Sequence, residues 1–282
     1  MKIALIPNMT RQNTLNVTKE LLNQLEKLNV TVFLDEEFKA CFENSEYINY
    51  CNVENEIENC EIVVTVGGDG TFIKSAKTSA LKNKPLLCVN AGKLAYLAGL
   101  ESTELSLLSK IVNGDYKTEK RMMLTATIID KDGNVIYTSN CLNDAVVSRS
   151  GKIRIIKLSI ACNGTELMDY SADGVIVSTP TGSTAYSLSA GGPIIEPQID
   201  SMLLTPVCCH SVFSRSVVLR PDSILEIVHD NSGDAVLSCD GEEAVLVPSG
   251  ATVKIENSPL KAEFIKVKKD TFIDILNKKI SN

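Results

Sequence analysis

The sequence predicts two domains: an α/β N-terminal domain with a parallel sheet and helices, and an all-β, β-sandwich-like C-terminal domain. Residues 1–118 alternate short apolar runs with amphipathic segments, which is typical of a parallel sheet covered by helices. From residue 119 the pattern changes to short β segments separated by turn residues. The chain has 282 residues, of which 44% are hydrophobic, and this is enough for two cores.

The first domain is predicted from apolar runs that end at turns, at Ile3–Ile6, Val30–Leu34, Ile62–Val66 and Leu86–Val89. Apolar residues recur at helical spacing in three segments, Thr14–Leu28, Thr71–Leu81 and Glu104–Asn113. The acidic stretch Asp35–Glu61 has little pattern. We interpret it as a variable surface excursion with room for one short helix and no role in chemistry.

The second domain is predicted to be built from short strands, at Met123–Asp130, Val135–Ser139, Ala145–Arg149, Ile155–Cys162, Gly174–Ser178, Val217–Leu219, Ile224–Val228, Ala235–Cys239, Glu243–Val247 and Thr252–Glu256. The first two form a hairpin that turns at Asp132-Gly133. We expect this domain to end at residue 268. The segment 269–282 carries a predicted helix, Phe272–Lys279, which is expected to pack on the first domain.

Composition excludes several classes of partner. The formal net charge of −7 disfavours nucleic acid and anionic membranes as the main partner. No run approaches the roughly 20 apolar residues of a membrane span, and no signal peptide is evident. The nine cysteines are irregularly spaced without a CxxC pair, so we expect reduced thiols and no metal site made by protein side chains. A cytoplasmic protein is therefore predicted.

The most informative turn is Gly67-Gly68-Asp69-Gly70, which follows a buried strand and precedes a helix. Glycines allow positive φ and leave the backbone N–H groups uncovered. One interpretation is a tight turn whose aspartate caps the helix. The other is a phosphate cradle formed by Gly67, Gly68, Gly70 and Thr71, with the carboxylate of Asp69 placed to act on a hydroxyl group.

A second informative stretch, Tyr170–Pro197, is dense in hydroxyl groups and glycines. Its Thr181, Ser183 and Thr184 precede a predicted helix that runs through Tyr186 and Leu188. Such an N-terminus offers N–H and O–H donors to an anionic or sugar-rich ligand, although capping alone would explain any single residue.

Other polar residues are candidates for a nucleotide site. Asn143 and Asp144 together can hold the two hydroxyls of a ribose, and Asp173 can bind a ribose or a base edge. Lys74 and Arg154 can neutralise phosphate. Each of these residues, taken alone, also fits a turn or a solvated surface.

These stretches together resemble the NAD kinases. The segments that carry the resemblance occur in the family's order and are Gly67–Thr71, Asn90–Leu97, Leu142–Asp144, Asp173–Pro193, His210–Val217 and Asp240–Glu242. They are similar to the family's Gly-Gly-Asp-Gly-Thr, Asn-x-Gly-x-Leu-Gly-Phe-Leu and Leu-Asn-Glu elements, to its most distinctive block, and to two weaker elements.

The resemblance implies transfer of the γ-phosphoryl group of ATP to the 2′-hydroxyl of the adenosine ribose of NAD, with Asp69 as proton acceptor. It implies an NAD site formed by Asp69, Gly70, Lys74, Asn143, Asp144, Arg154, Asp173, Thr184, Ala185, Tyr186, Ser187, Leu188, Ser189 and Glu242. It also implies Mg²⁺ travelling with ATP, and a homodimer or homotetramer with part of the site between domains or subunits.

Two alternatives are considered. A lipid kinase of the diacylglycerol or sphingosine type shares the glycine turn, but it needs access to membranes, which the acidic charge disfavours. A non-catalytic nucleotide sensor on the same fold would be favoured only if Asp69 were absent or blocked, and Asp69 is present. The chain departs from the family pattern at Asp144, where Glu is commoner, at Ala95-Tyr96, where Gly-Phe is usual, and at Ser216, where proline is common. These changes bear on ribose geometry and donor tolerance.

Overall fold

The computed structural model describes residues 1–10, 13–42, 45–92, 95–151, 155–210, 214–230 and 234–280. The chain divides into two compact units. The first comprises Met1–Lys120 and Ala262–Asn282, and the second comprises Arg121–Lys261. Each unit has its own cluster of buried hydrophobic side chains. The described residues include no helix long and apolar enough to cross a membrane.

The elements up to residue 116 are, in chain order, β1 (Lys2–Pro7), α1 (Thr14–Lys27), β2 (Thr31–Asp35), β3 (Ile48–Cys51), α2 (Val53–Glu56), β4 (Ile62–Gly67), α3 (Asp69–Leu81), β5 (Leu86–Asn90), β6 (Leu100–Glu101) and α4 (Leu108–Val112). Short 3-10 turns lie at Glu36–Phe38, Ile57–Asn59 and Ser102–Leu107.

The elements that follow are β7 (Lys117–Ile129), β8 (Val135–Cys141), β9 (Asp144–Arg149), β10 (Ile156–Cys162), β11 (Thr165–Ala172), β12 (Gly174–Ser178), α5 (Tyr186–Ser189), β13 (Met202–Val207), β14 (Val217–Leu219), β15 (Leu225–His229), β16 (Ala235–Cys239), β17 (Val245–Val247), β18 (Thr252–Lys266) and α6 (Phe272–Ile280). A further 3-10 turn lies at Gly182–Thr184.

The first unit contains the predicted parallel sheet. Its strands lie in the order β5-β4-β1-β2-β3, and every one of these neighbouring pairs is parallel. All residues of β4 and β5 are buried, as expected for strands covered on both faces. Gly67 pairs with Asn90, so the glycine turn and the loop after β5 start at the same edge of the sheet.

The prediction for Asp35–Glu61 missed a strand, because the segment contributes β3 to the sheet. The one short helix that it allowed for is present as α2. Strand β3 pairs in parallel with β2, with Val32 opposite Ile48. The strand has only four residues and is half-buried, so it carries too few apolar positions for a periodic pattern. The segment also lines a cavity, described below.

The second unit is antiparallel and sandwich-like, which confirms the predicted fold class. One group of strands has the order β14-β13-β12-β9-β16-β17, and β11, β10, β15 and β18 form another. Side chains from both groups, such as Val175 and Leu158, share one core cluster. Two strands were missed. Half of the residues of β11 are polar, and β13 contains Pro206, which argues against a strand in sequence terms.

Candidate active site

The glycine turn joins β4 to α3 without the positive φ expected from its sequence. Gly68 is extended, with φ −133°, and neither Gly67 nor Gly70 adopts the left-handed region. The lack of a side chain at these glycines instead determines the space around the main chain. A Cβ on Gly67 would lie 2.6 Å from Oγ1 of Thr71, whereas a Cβ on Gly70 would have no atom within 4 Å. The main chain is therefore open at Gly70.

Asp69 is the first residue of α3, and two backbone amides hold its carboxylate. The N–H of Tyr96 donates to Oδ2 and the N–H of Leu97 donates to Oδ1, both at 3.1 Å. Two bonds of this kind fix the plane of the carboxylate. Burial raises the pKa of the Tyr96 hydroxyl, and the charge of Asp69 adds to this effect. The loop after β5 therefore holds the carboxylate of the glycine turn in place.

The remaining predicted residues of this turn lie on the first two turns of α3. Thr71 accepts a hydrogen bond from Nδ2 of Asn8 at 2.8 Å, which ties α3 to the end of β1. Lys74 is exposed. Gly70, Thr71 and Lys74 line one cavity of about 690 Å³. The structure therefore brings these three residues together on one side of the helix.

The hydroxyl-rich segment forms a 3-10 turn and a four-residue helix, not one continuous helix capped at Ser183 or Thr184 and running through Tyr186 and Leu188. Ala185 separates the two pieces because its ψ of −128° is not helical. The hydroxyl of Ser183 donates to the carbonyl of Pro180 at 2.6 Å, and Ser187 bonds to Thr205. These two hydroxyls are internal. The side chains of Tyr186, Leu188 and Ser189 are exposed, and Thr184 and Ala185 are half-buried.

Asn143 lies directly against this segment. Its carbonyl oxygen accepts from the N–H of Thr179 at 2.8 Å, and a Cβ on Gly182 would lie 2.1 Å from the same oxygen. Only glycine fits there. The side-chain Oδ1 of Asn143 is buried and has no partner among the described residues. An unpaired buried acceptor of this kind suits a hydroxyl of a ligand.

Two family models match most of the chain. The ATP-NAD kinase N-terminal domain matches residues 3–116, and the ATP-NAD kinase C-terminal domain matches residues 142–267. The chain belongs to the NAD kinase family. Its activity is therefore the phosphorylation of NAD, and the predicted enzyme class is confirmed. The lipid-kinase and sensor alternatives are not favoured, because both matching models describe ATP-NAD kinases.

Curated relatives of this family match over nearly the whole chain. The NAD kinase of Acetivibrio thermocellus is 35% identical over 283 aligned residues, which cover 99% of this chain and 97% of the relative. The NAD kinase of Caldanaerobacter subterraneus is 37% identical, with 99% of each protein covered.

Solved structures of the family share the fold. Yeast NADH kinase complexed with NADH matches with a TM-score of 0.90 and 26% identity, covering all of this chain and 87% of that one. An NAD kinase from Archaeoglobus fulgidus in complex with ATP matches with a TM-score of 0.77 and 24% identity, covering all of both chains. At that lower identity, the second likeness concerns the fold alone.

Asp240 holds the Asn143-Asp144 pair of this NAD kinase family member, and the sequence analysis gave it no role. Its carboxylate accepts from three consecutive amides, those of Leu142 at 2.8 Å, Asn143 at 2.7 Å and Asp144 at 3.1 Å. Its own N–H donates to the carbonyl of Asp144 at 2.9 Å. Asp240 has φ +54° and precedes Gly241, so the sequence signalled a turn but not these bonds.

The carboxyl group of Asp144 is a weaker acid than an ordinary aspartate side chain. Its pKa is raised to about 7, first because the group is buried and second because the charge of Asp240 lies nearby. Asp144 is therefore partly protonated near neutral pH. A protonated carboxyl can donate a hydrogen bond as well as accept one.

We expect the Asp144→Asn variant to remove a pH dependence of stability. Because the pKa is raised from an ordinary 3.8 to about 7 on folding, the folded state binds more protons in this interval. The free energy of unfolding should thus fall with rising pH by about 1.4 kcal/mol per unit and level off above pH 7. Urea unfolding of both proteins from about pH 4.5 to about pH 8 checks this. A constant difference between them would contradict the raised pKa.

The other predicted residues of the second unit have varied surroundings. Oδ1 of Asp173 accepts from Nε of Arg149 at 2.7 Å, an ion pair that the sequence analysis missed. Glu242 is exposed, and its carbonyl accepts from the hydroxyl of Ser238 at 2.8 Å. Arg154 lies outside the described residues, so its role stays a prediction.

Proposed function

We propose that this NAD kinase transfers the γ-phosphoryl group of ATP to the 2′-hydroxyl of the adenosine ribose of NAD, with Asp69 as the proton acceptor. The observation that carries the proposal is the carboxylate of Asp69 held by the amides of Tyr96 and Leu97 at the start of α3. A carboxylate fixed in this way is pre-oriented toward a hydroxyl group.

The reaction balances with these groups. The 2′-oxygen bonds to the γ-phosphorus, the bond to the β,γ-bridging oxygen breaks, and ADP leaves. The hydroxyl proton passes to Asp69. Phosphoryl transfer has a loose transition state, so orienting the hydroxyl contributes more than removing its proton early. Gly67, Gly68, Gly70 and Thr71 are assigned to the phosphates, because the start of α3 favours negative charge.

Most of the residues assigned to NAD belong to the second unit. The buried, unpartnered Oδ1 of Asn143 supports an acceptor role toward a ribose hydroxyl, and the next residue, Asp144, adds a buried carboxyl group. The exposed ring of Tyr186 is suited to stacking on a base. The remaining residues assigned to this ligand are Lys74, Arg154, Asp173, Thr184, Ala185, Ser187, Leu188, Ser189 and Glu242.

Mg²⁺ is proposed to accompany ATP and to shield the charge of the triphosphate. The described residues include no group of three or more His, Cys, Asp or Glu side chains that could hold a metal ion. We therefore assign the cation mainly to phosphate oxygens and water, as is common for Mg²⁺ at nucleotides. A homodimer or homotetramer and a cytoplasmic location stay predictions from the sequence.

The experiment that tests the proposed function is a coupled assay. Purified protein is incubated with NAD, ATP and Mg²⁺, and product is detected by an NADP-specific dehydrogenase. We expect product to require all three components. Diacylglycerol and sphingosine, offered with ATP in place of NAD, should not be phosphorylated. Phosphorylation of a lipid but not of NAD would contradict the proposal.

A further inference from the structure

Two cysteines are adjacent at the end of β13. Cys208 is exposed and Cys209 is half-buried, and both are thiols in the structure. Cys208 has φ +48°, in the left-handed region that residues other than glycine seldom adopt. Successive side chains of a strand point to opposite faces, which would keep neighbouring sulfur atoms apart. Because Cys208 leaves the strand conformation, this alternation does not apply to the pair.

A buried hydroxyl group lies near Cys209. Tyr170 of β11 is 1% exposed, and its hydroxyl has no hydrogen-bond partner among the described residues. Burial raises the pKa of this hydroxyl, and the charge that Cys209 carries as a thiolate raises it further. Tyr170 therefore keeps its proton and can donate a hydrogen bond to a thiolate. Since the buried donor gains a partner when Cys209 loses its proton, it favours the reactive form of this thiol.

The main chain on either side of the cysteines supports the neighbouring segment. The N–H of His210 donates to the carbonyl of Ser171 at 2.8 Å. The carbonyl of Val207 accepts from the N–H of Asp173 at 3.0 Å. Asp173 is assigned to NAD, and its carboxylate accepts from Nε of Arg149 at 2.7 Å. A change in the backbone of the cysteines would therefore reach the proposed NAD site through these main-chain hydrogen bonds.

A disulfide between adjacent cysteines is strained. Consecutive Cα atoms are about 3.8 Å apart across a trans peptide, whereas the Cα atoms of disulfide-bonded cysteines are usually about 4.4–6.8 Å apart. Closing the bond must therefore change the backbone between the two residues. A strained, exposed disulfide is also reduced readily, so it suits a reversible modification and not a permanent bridge.

We propose that Cys208 and Cys209 form a redox modification site, in which a low-molecular-weight disulfide oxidises the pair to an internal disulfide and so weakens NAD binding. The thiolate of Cys208 attacks the small disulfide, a mixed disulfide forms, and one small thiolate leaves. The thiolate of Cys209 then attacks the sulfur of Cys208, and the second small thiolate leaves. The two leaving thiolates take up the two protons that the cysteines lost. The link to NAD rests on the proposed function, which assigns Asp173 to that ligand.

The first measurement is the mass of the peptide that contains both cysteines, after the native enzyme is treated with glutathione disulfide and the reaction is stopped with acid. We expect this peptide to lose two hydrogen atoms, and dithiothreitol to restore them. In Cys209→Ala the peptide should keep one added glutathione, because Cys208 then has no neighbouring thiol to displace it. A wild-type peptide that keeps its glutathione, or that stays reduced, overturns the proposal.

The variant Tyr170→Phe tests the buried hydroxyl group. It removes only an oxygen atom without a hydrogen-bond partner, so the fold should be retained. The mixed disulfide of this variant should persist roughly threefold longer than that of the wild type, because the thiolate of Cys209 loses a hydrogen bond. A time course of acid-stopped samples measures this lifetime. An unchanged lifetime overturns the role of Tyr170.

The second measurement is the KM for NAD before and after oxidation. It should rise by roughly tenfold, the effect of losing one hydrogen bond to a charged group, while kcat stays within about twofold. Dithiothreitol should reverse the change. Cys208→Ala should keep its KM on treatment, whereas the matched control Cys41→Ala, at another exposed cysteine, should respond as the wild type does. An unchanged KM in the oxidised wild type overturns the effect on NAD binding.

Failure of the modification site and failure of the function are distinguishable, because the mass measurement requires no activity. If the reduced enzyme phosphorylates NAD but forms no internal disulfide, the modification site alone is overturned. If the reduced enzyme does not phosphorylate NAD, the proposed function is overturned, and the link between the cysteines and NAD with it.

Discussion

Replacing Asp69 with Asn is expected to lower kcat by roughly 10²–10⁴, the usual cost of losing a general base. The amide side chain is nearly the same size, but it cannot take the hydroxyl proton, and its NH₂ group would face one of the two amides that now donate to the carboxylate. Steady-state turnover with NAD and ATP measures the effect. Turnover within a few-fold of wild type would contradict the role of Asp69.

NAD binding serves as the internal control for this variant. Because most of the proposed contacts to NAD lie in the second unit, the dissociation constant by calorimetry should change by less than about tenfold. Asp115→Asn, at an exposed site of the same unit, should leave both turnover and binding unchanged. A loss of binding equal to the loss of turnover would make Asp69 a binding residue and not the proton acceptor.

Replacing Asp240 with Asn is expected to lower the free energy of unfolding of the second unit and to raise the KM for NAD. The carboxylate accepts three amide hydrogen bonds, and Asn has only one oxygen to offer them. Leaving one buried amide unpaired costs about 1–3 kcal/mol in the free energy of unfolding. The displaced Asn143-Asp144 pair should raise the KM for NAD by roughly tenfold, equivalent to about 1.4 kcal/mol.

Two controls separate this positioning role from a general loss of stability. Asp132→Asn changes another aspartate that precedes a turn glycine, and the side chain of Asp132 is exposed, so it should leave stability and KM unchanged. Since the charge of Asp240 contributes to the raised pKa of Asp144, Asp240→Asn should also move the pH dependence of stability to lower pH. An unchanged KM for NAD would show that Asp240 does not position the site.

The fold was predictable wherever local pattern and burial agree. The fully buried β4 and β5 are continuous apolar runs, and the hairpin of β7 and β8 has Gly133 at φ +86° in its turn. Strands without such a pattern were missed. β3 pairs only along an edge of the sheet, and β13 tolerates Pro206 because pairing elsewhere along the strand holds it in place.

The site residues that act through their own side chains were predictable from the sequence. Asp69 stands out because both of its neighbours in the sequence are glycines, and Asn143 stands out because an amide and a carboxylate are adjacent at Asn143-Asp144. Their supports were not predictable. The amides of Tyr96 and Leu97 belong to the main chain, which has no residue-type signature, and Asp240 bonds to an amide 98 positions away. Long-range main-chain contacts of this kind depend on the completed fold.

The proposed mechanism depends most directly on which hydroxyl group receives the phosphoryl group. Purified enzyme, NAD, ATP and Mg²⁺ should yield a product whose ³¹P and ¹H NMR spectra show a phosphomonoester on the 2′-carbon of the adenosine ribose. A phosphate on the 3′-carbon, or on the ribose of the nicotinamide, would contradict the placement of that hydroxyl at Asp69.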